Sequence, residues 1–157
     1  MLTLLKNCVK SQLLMKRDSH RSRQDLPNIY FAYGSNMNHD QMVWRCPTAR
    51  FLGAFYLEDW CLTMRSHATV IREPGSSVPG ALWQVQPKDI ESLDRYEGLN
   101  FYYKRTVLSQ QNIDFFLYEM IDLGQGWPSS TYLDSILSGY EHCGIPQDHF
   151  QPLMPEW

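Results

Sequence analysis

Ile29-Tyr30-Phe31-Ala32-Tyr33-Gly34-Ser35-Asn36 is the stretch on which the reading of this chain turns. A run of aromatic and small apolar residues favours a buried strand, and Gly34-Ser35-Asn36 end it with turn formers. Asn38-His39-Asp40-Gln41 then has the form of a helix start, with Asn38 placed to cap and Gln41 three residues on to reach back. Strand, tight turn and helix in that order aim backbone N–H groups at one place, and Gly34 lets a ligand approach the main chain. The favoured guest is an anion or a carbonyl oxygen. Many such turns only redirect a chain, so a function requires a second feature that converges here.

Moving outward toward the C-terminus, a short helix over 41–45 ends at Cys46-Pro47, because a residue before proline resists the α region. Alternation of apolar and polar residues predicts strands over 49–57 and 60–65, and a short one over 68–72. Pro74-Gly75-Ser76-Ser77 gives the clearest turn signal, and a strand resumes over 78–86. The best helix runs from Pro87 to Tyr96: proline opens it, Asp89 and Glu91 lie in its first turn, and Gly98 closes it. Strands over 101–108 and 114–121 follow, joined by Ser109-Gln110-Gln111-Asn112. Ser129 or Ser130 caps a last helix over 131–143, with Tyr132, Leu133, Ile136, Leu137 and Tyr140 at helical spacing. The fold class so predicted is α+β, a small, mostly antiparallel, barrel-like sheet with three short helices.

Toward the N-terminus, residues 1–27 hold six Lys and Arg against Asp18 and Asp25, a net +4, which leaves −7 for the rest of a chain whose formal charge is −3. The segment reads as a flexible basic extension outside one domain spanning 28–157, with a targeting or membrane-surface role as the alternative. A length of 157 residues suits one domain with a proper core. The acidic balance argues against a nucleic-acid partner. Cys8, Cys46, Cys61 and Cys143 form no C-x-x-C pair and no zinc-finger spacing with histidine, so no metal and no redox motif is indicated. No window reaches the ~18 apolar residues of a membrane span. These features favour a cytoplasmic enzyme or binding domain, monomeric or homodimeric.

The second feature is a carboxylate on an apolar face. With Ile90 at zero and about 100° per residue, Leu93 falls at roughly 300° and Glu97 at roughly 340°, while Lys88, Glu91 and Arg95 take the solvent side. An ionised carboxylate on a core-facing stripe costs several kcal/mol unless it is paired, protonated or employed. Burial, the negative end of the helix and Asp94 one turn earlier all predict a raised pKa, which suits proton exchange near neutrality. The alternatives are a Glu that swings out at the helix end, or one paired with an arginine such as Arg105.

Tyr30-Phe31-Ala32-Tyr33-Gly34-Ser35-Asn36-Met37, Pro74-Gly75 with Val78-Pro79-Gly80-Ala81-Leu82-Trp83, and Leu93-Asp94-Arg95-Tyr96-Glu97-Gly98 resemble the gamma-glutamylcyclotransferase-like family in the same order. Tyr103-Lys104-Arg105-Thr106-Val107 and the stretch from Pro128 to Leu137 continue the resemblance, which covers residues 28–153. It implies a barrel-like α+β fold and the conversion of a γ-glutamyl group to 5-oxoproline with release of an amino acid or amine. It also implies Glu97 as the catalytic acid/base, Tyr33, Gly34, Ser35 and Asn36 as the substrate loop, and Tyr118 and Tyr132 as further contacts. The implied partner is a small γ-glutamyl compound, and no cofactor is required. Two other functions suit the same residues: a non-catalytic module that binds γ-glutamyl-like ligands, and an amide hydrolase. Arg65 to Thr69 is shorter than the resemblance leads one to expect, which would open one wall of the pocket. His67 within it reads as a surface-loop residue rather than a substrate contact.

Overall fold

The aromatic strand that opens the reading, β1 (Ile29–Ala32), lies in the middle of a five-stranded sheet. Tyr30, Phe31 and Ala32 are all buried, as a strand covered on both faces requires. The computed structural model describes residues 25–154, so most of the basic segment read as an extension lies outside the described residues. Leu26, at the end of that segment, is buried in the core, and the Val85 N–H donates to the Asn28 carbonyl at 2.8 Å.

The other strands are β2 (Arg50–Met64), β3 (Ala68–Gln84), β4 (Tyr103–Gln110) and β5 (Ile113–Met120), in the spatial order β2-β3-β1-β5-β4. Every pairing is antiparallel except β1 with β5, where Tyr30 stands beside Phe116. The α+β class and the mostly antiparallel sheet hold, but the sheet is open rather than closed. Its edges β2 and β4 are not paired as strands, but the Gln110 side chain accepts from the Glu58 N–H and donates to the Glu58 carbonyl, both at 2.9 Å.

Two expected breaks are not breaks. The segments expected at 49–57 and 60–65 form one strand, β2, and those at 68–72 and 78–86 form one strand, β3. Pro74-Gly75-Ser76-Ser77 does not reverse the chain. Glu58 pairs with Ser77 and Trp60 with Arg72, so the residues between bulge out opposite Asp59 alone. Asp59 and Gly75 both take positive φ there, and the Asp59 carboxylate accepts from the Gly75 N–H at 3.0 Å. Turn-forming residues inside a long hairpin produce a bulge when both flanks keep the same partner. The β4–β5 hairpin closes on Gln111 and Asn112, both at positive φ as a tight two-residue turn demands.

Among the described residues three α-helices pack with the sheet: α1 (His39–Arg45), α2 (Pro87–Glu97) and α3 (Ser130–His142). Asn38 caps α1 by accepting from the Asp40 and Gln41 N–H groups, and Ser129 caps α3 by accepting from Tyr132. A capping box joins Gln86 and Asp89 at the start of α2, and Gly98 ends it in the left-handed region. Gly139 of α3 lies against the turn after β1, where an added Cβ would meet Met37 Cβ at 2.6 Å. That close approach presses α3 onto the Gly34–Asn36 loop and fixes the loop's place above the sheet.

Candidate active site

Gly34-Ser35-Asn36 leave β1 into a single 3-10 turn, Ser35–Met37, closed by the Met37 N–H on the Gly34 carbonyl at 3.1 Å. The first N–H groups of such a turn have no acceptor within it, so the Ser35 and Asn36 backbone amides are left unpaired by the turn itself. Gly34 has an ordinary negative φ, and its value here is space: a Cβ would stand 3.1 Å from the Tyr132 hydroxyl and 3.5 Å from Ala68 Cβ. The loop opens into a cleft of about 890 Å³. Tyr33, Gly34, Ser35, Asn36, Glu97, Tyr118 and Tyr132, which belong to β1 and its turn, α2, β5 and α3, all line it.

Asn36 joins the two halves of the site. Its Oδ1 accepts from Gln41 Nε2 at 3.0 Å and from Arg45 Nη1 at 2.9 Å. Two donors on one side fix the amide's orientation, which turns Nδ2 toward Tyr30 Oη and Glu97 Oε1, each at 3.1 Å. The Asn36 side chain is buried, and its amide bonds four protein groups, Glu97 among them. Gln41, expected to reach back as a capping box, uses its side chain here and also donates to Ser35 Oγ at 2.9 Å.

Glu97 is partly buried at the last position of α2, and burial raises its pKa to about 7, with the Arg45 guanidinium pulling the other way. The direction matches the expectation from the helical wheel, but one cause does not. The Asp94 carboxylate is engaged elsewhere, accepting from Tyr118 Oη at 2.7 Å and lying 3.7 Å from Arg105 Nη1, and it is not among the influences on Glu97. Arg105 thus pairs with Asp94, and the cation that acts on Glu97 is Arg45.

The tyrosines divide by what their hydroxyls do. Tyr33 Oη donates to the Tyr118 carbonyl, and Tyr118 Oη to Asp94, so these two rings wall the cleft with their hydroxyls already committed. Tyr132 Oη accepts from the Ala68 N–H at 2.9 Å, which leaves its own proton available to an oxygen in the cleft. Burial raises its pKa to about 12, so it stays protonated. His67 faces the cleft too, its ring edge-on to Tyr132 at 4.9 Å between centroids. Among the described residues, no group of three or more His, Cys, Asp or Glu is disposed to hold a metal ion, and no helix is long and apolar enough to cross a membrane.

A model of the family described as gamma-glutamyl cyclotransferase, AIG2-like, matches residues 30–139, from β1 to the C-terminal part of α3. The chain belongs to this family. The mouse gamma-glutamylcyclotransferase is 28% identical over 154 residues, spanning 87% of this chain and 82% of the mouse protein. The bovine gamma-glutamylcyclotransferase is 28% identical over 151 residues, spanning 85% of this chain and 80% of its own length. A solved structure of a gamma-glutamyl cyclotransferase superposes with a TM-score of 0.70 at 27% identity, over 82% of this chain and 88% of that one.

In this cyclotransferase-family enzyme, sequence reasoning missed Arg45, which meets Asn36 and lies 4.4 Å over the Tyr96 ring. In sequence it is only a basic residue in the last turn of a short helix, where such residues commonly serve the helix dipole. Tyr103 was missed as well; its hydroxyl donates to the Ala68 carbonyl at 2.8 Å and its ring lines the cleft. No periodicity separates a tyrosine of that kind from an ordinary core residue.

Proposed function

We propose that the enzyme cyclises the γ-glutamyl group of a small compound to 5-oxoproline and releases an amino acid or amine, with Glu97 as general base and then general acid. The observation that carries this reading is Glu97 itself: a carboxyl held by Asn36 in a cleft and poised to exchange protons near pH 7. Its anion takes a proton from the substrate's α-amine. The amine nitrogen attacks the γ-carbonyl carbon, the new C–N bond closes a five-membered ring, and the γ-amide C–N bond breaks. Glu97 returns the proton to the departing nitrogen, so atoms and charge balance without any co-reactant.

Attack within one molecule removes most of the entropic barrier provided that the cleft holds the substrate bent. Charge developing on the γ-carbonyl oxygen, or standing on the α-carboxylate, is met by the Ser35 and Asn36 backbone N–H groups, which the turn leaves unpaired, and by the Tyr132 hydroxyl. Gly34 gives these groups room to converge. Arg45 tempers the rise in the Glu97 pKa, so that the base remains substantially ionised at neutral pH. Glu97→Gln is expected to fold and to lower 5-oxoproline release by about 10²- to 10⁴-fold, the range for loss of a general base. Unchanged release would remove Glu97 from the mechanism, and glutamate as the product would assign hydrolysis instead.

A further inference from the structure

The cleft of about 890 Å³ is several times larger than a γ-glutamyl head needs, and its outer part is built of exposed aromatic side chains. Phe101 is 85% exposed, Tyr102 72% and Tyr96 46%, and all three line the cleft immediately around Glu97 in sequence. Leu123, 38% exposed, belongs to the same lining. Apolar surface of this extent held open to water costs free energy and calls for an occupant.

The aromatic pair is not exposed because its segment is slack. The Phe101 and Tyr102 N–H groups both donate to the Gly98 carbonyl, at 3.0 and 2.9 Å, and the Asn100 N–H donates to the Tyr103 carbonyl at 2.8 Å. The Tyr102 carbonyl in turn accepts from Ile121 at 2.9 Å. Gly98 sits at φ +60, and the Tyr102 ring lies so close over it that a Cβ would stand 2.5 Å from the ring. Tyr96 is fixed from the other side by the Arg45 guanidinium 4.4 Å over its ring. The rings are thus pre-positioned on the structure that also ends the helix bearing Glu97.

On the reading that Glu97 cyclises γ-glutamyl compounds, we infer that Phe101, Tyr102 and Tyr96 form the leaving-group subsite and select γ-glutamyl compounds whose released amine carries an aromatic or bulky apolar side chain. The head group is committed to the Gly34–Asn36 turn and Glu97 at the inner end, so the remainder of the substrate must run outward over these rings. A ring stacked there removes apolar surface from water on both partners, whereas a methyl group leaves most of it wet.

The test compares γ-glutamyl-phenylalanine with γ-glutamyl-alanine, which share head group and leaving carboxylate. Wild type should favour the phenylalanine compound in kcat/KM for 5-oxoproline by about tenfold or more, the scale for filling an apolar pocket. Phe101→Ala, at a position too exposed to endanger folding, should cut that ratio at least severalfold, and Phe101→Ala with Tyr102→Ala should bring it near one. A second readout is independent of turnover: calorimetric Kd values for both compounds on Glu97→Gln, with and without Phe101→Ala, should show the same preference and its loss. If neither compound yields 5-oxoproline but the binding preference is present and depends on Phe101, the cyclisation reading fails and the subsite stands. Product from both compounds without preference, or a preference untouched by the Phe101 and Tyr102 substitutions, overturns the inference. A change in oligomeric state on those substitutions with selectivity intact also overturns it, and gives the rings to a second copy of the chain.

Discussion

Glu97→Gln should stabilise the fold at pH 8 and do so much less at pH 5. Burial moves this carboxyl from its ordinary value of 4.5 to about 7 on folding. A group with a raised folded-state pKa favours the native state fully below its unfolded value, and that contribution is lost as pH rises through the folded value. The window is therefore about 4.5 to 7. At one pKa unit to 1.36 kcal/mol, an ionised Glu97 costs the native state roughly 3 kcal/mol at most above that window. Partial exposure of the residue screens this figure, and glutamine forgoes the attraction of Arg45, so a gain of about 1–2 kcal/mol is the expectation. The Asn36 Nδ2 bond survives, because Gln keeps an Oε1 acceptor. Urea denaturation of both proteins at pH 5 and pH 8 measures the effect as a difference of differences, in which every other titrating group and any pH-independent effect of the amide cancels. An equal ΔΔG at the two pH values, or a larger gain at pH 5, would refute the claim that burial governs this carboxyl. Activity should fall in the same variant whose stability rises, the trade expected where a site holds a charge its surroundings disfavour.

Arg45→Met removes the cation that lowers the Glu97 pKa, so the acid limb of the kcat/KM profile for 5-oxoproline release should move above about 7; a limb that stays in place or moves down refutes the role given to the guanidinium. Gly34→Ala brings a Cβ to 3.1 Å from the Tyr132 hydroxyl, and the few tenths of an ångström by which that group must give should lower kcat/KM about tenfold with little change in melting temperature. Gly80→Ala is a stability test: its Cβ would stand 2.4 Å from both the Ala32 carbonyl oxygen and the Phe31 ring, so a loss of about 3 kcal/mol is expected in urea denaturation.

The helices were the legible part of the fold, since proline, capping side chains and closing glycine act over a few residues and leave their mark locally. Pro87 and Gly98 bound α2 much as their backbone preferences require. Strand continuity was not legible. Whether Pro74-Gly75-Ser76-Ser77 turns the chain or bulges from it depends on whether the flanks share a partner, and that partner, β2, lies elsewhere in the sequence. Closure of the sheet was obscured for the same reason: an edge reveals itself only by which strand fails to arrive. In the site, Glu97 could be found because a carboxylate on an apolar stripe conflicts with its local pattern. Asn36, Gln41 and Arg45 carry no such conflict, and their bonds become visible only when α1 is folded beside the β1 turn.

The number of tyrosines around Glu97 follows from what the carboxyl has to do. Burial raises the pKa of Tyr30, Tyr33, Tyr103, Tyr118 and Tyr132, and repulsion by the Glu97 anion contributes in every case. All five therefore remain neutral at any pH at which Glu97 titrates. A lining of lysines would hold Glu97 permanently ionised, and one of aliphatic side chains would leave an ionised carboxylate without polar neighbours. Phenols supply bulk that excludes water together with hydroxyls that bond neutral groups, such as the Ala68 peptide held by Tyr103 and Tyr132. One cation, Arg45, reached through Asn36, then offsets part of the penalty without forming a salt bridge that would fix the proton's position. On this account a single tyrosine-to-phenylalanine change at Tyr33 or Tyr118, whose hydroxyls donate to protein groups, should alter stability more than the pH profile, whereas Tyr132→Phe should lower kcat, because it removes a hydroxyl proton available to the reacting oxygen.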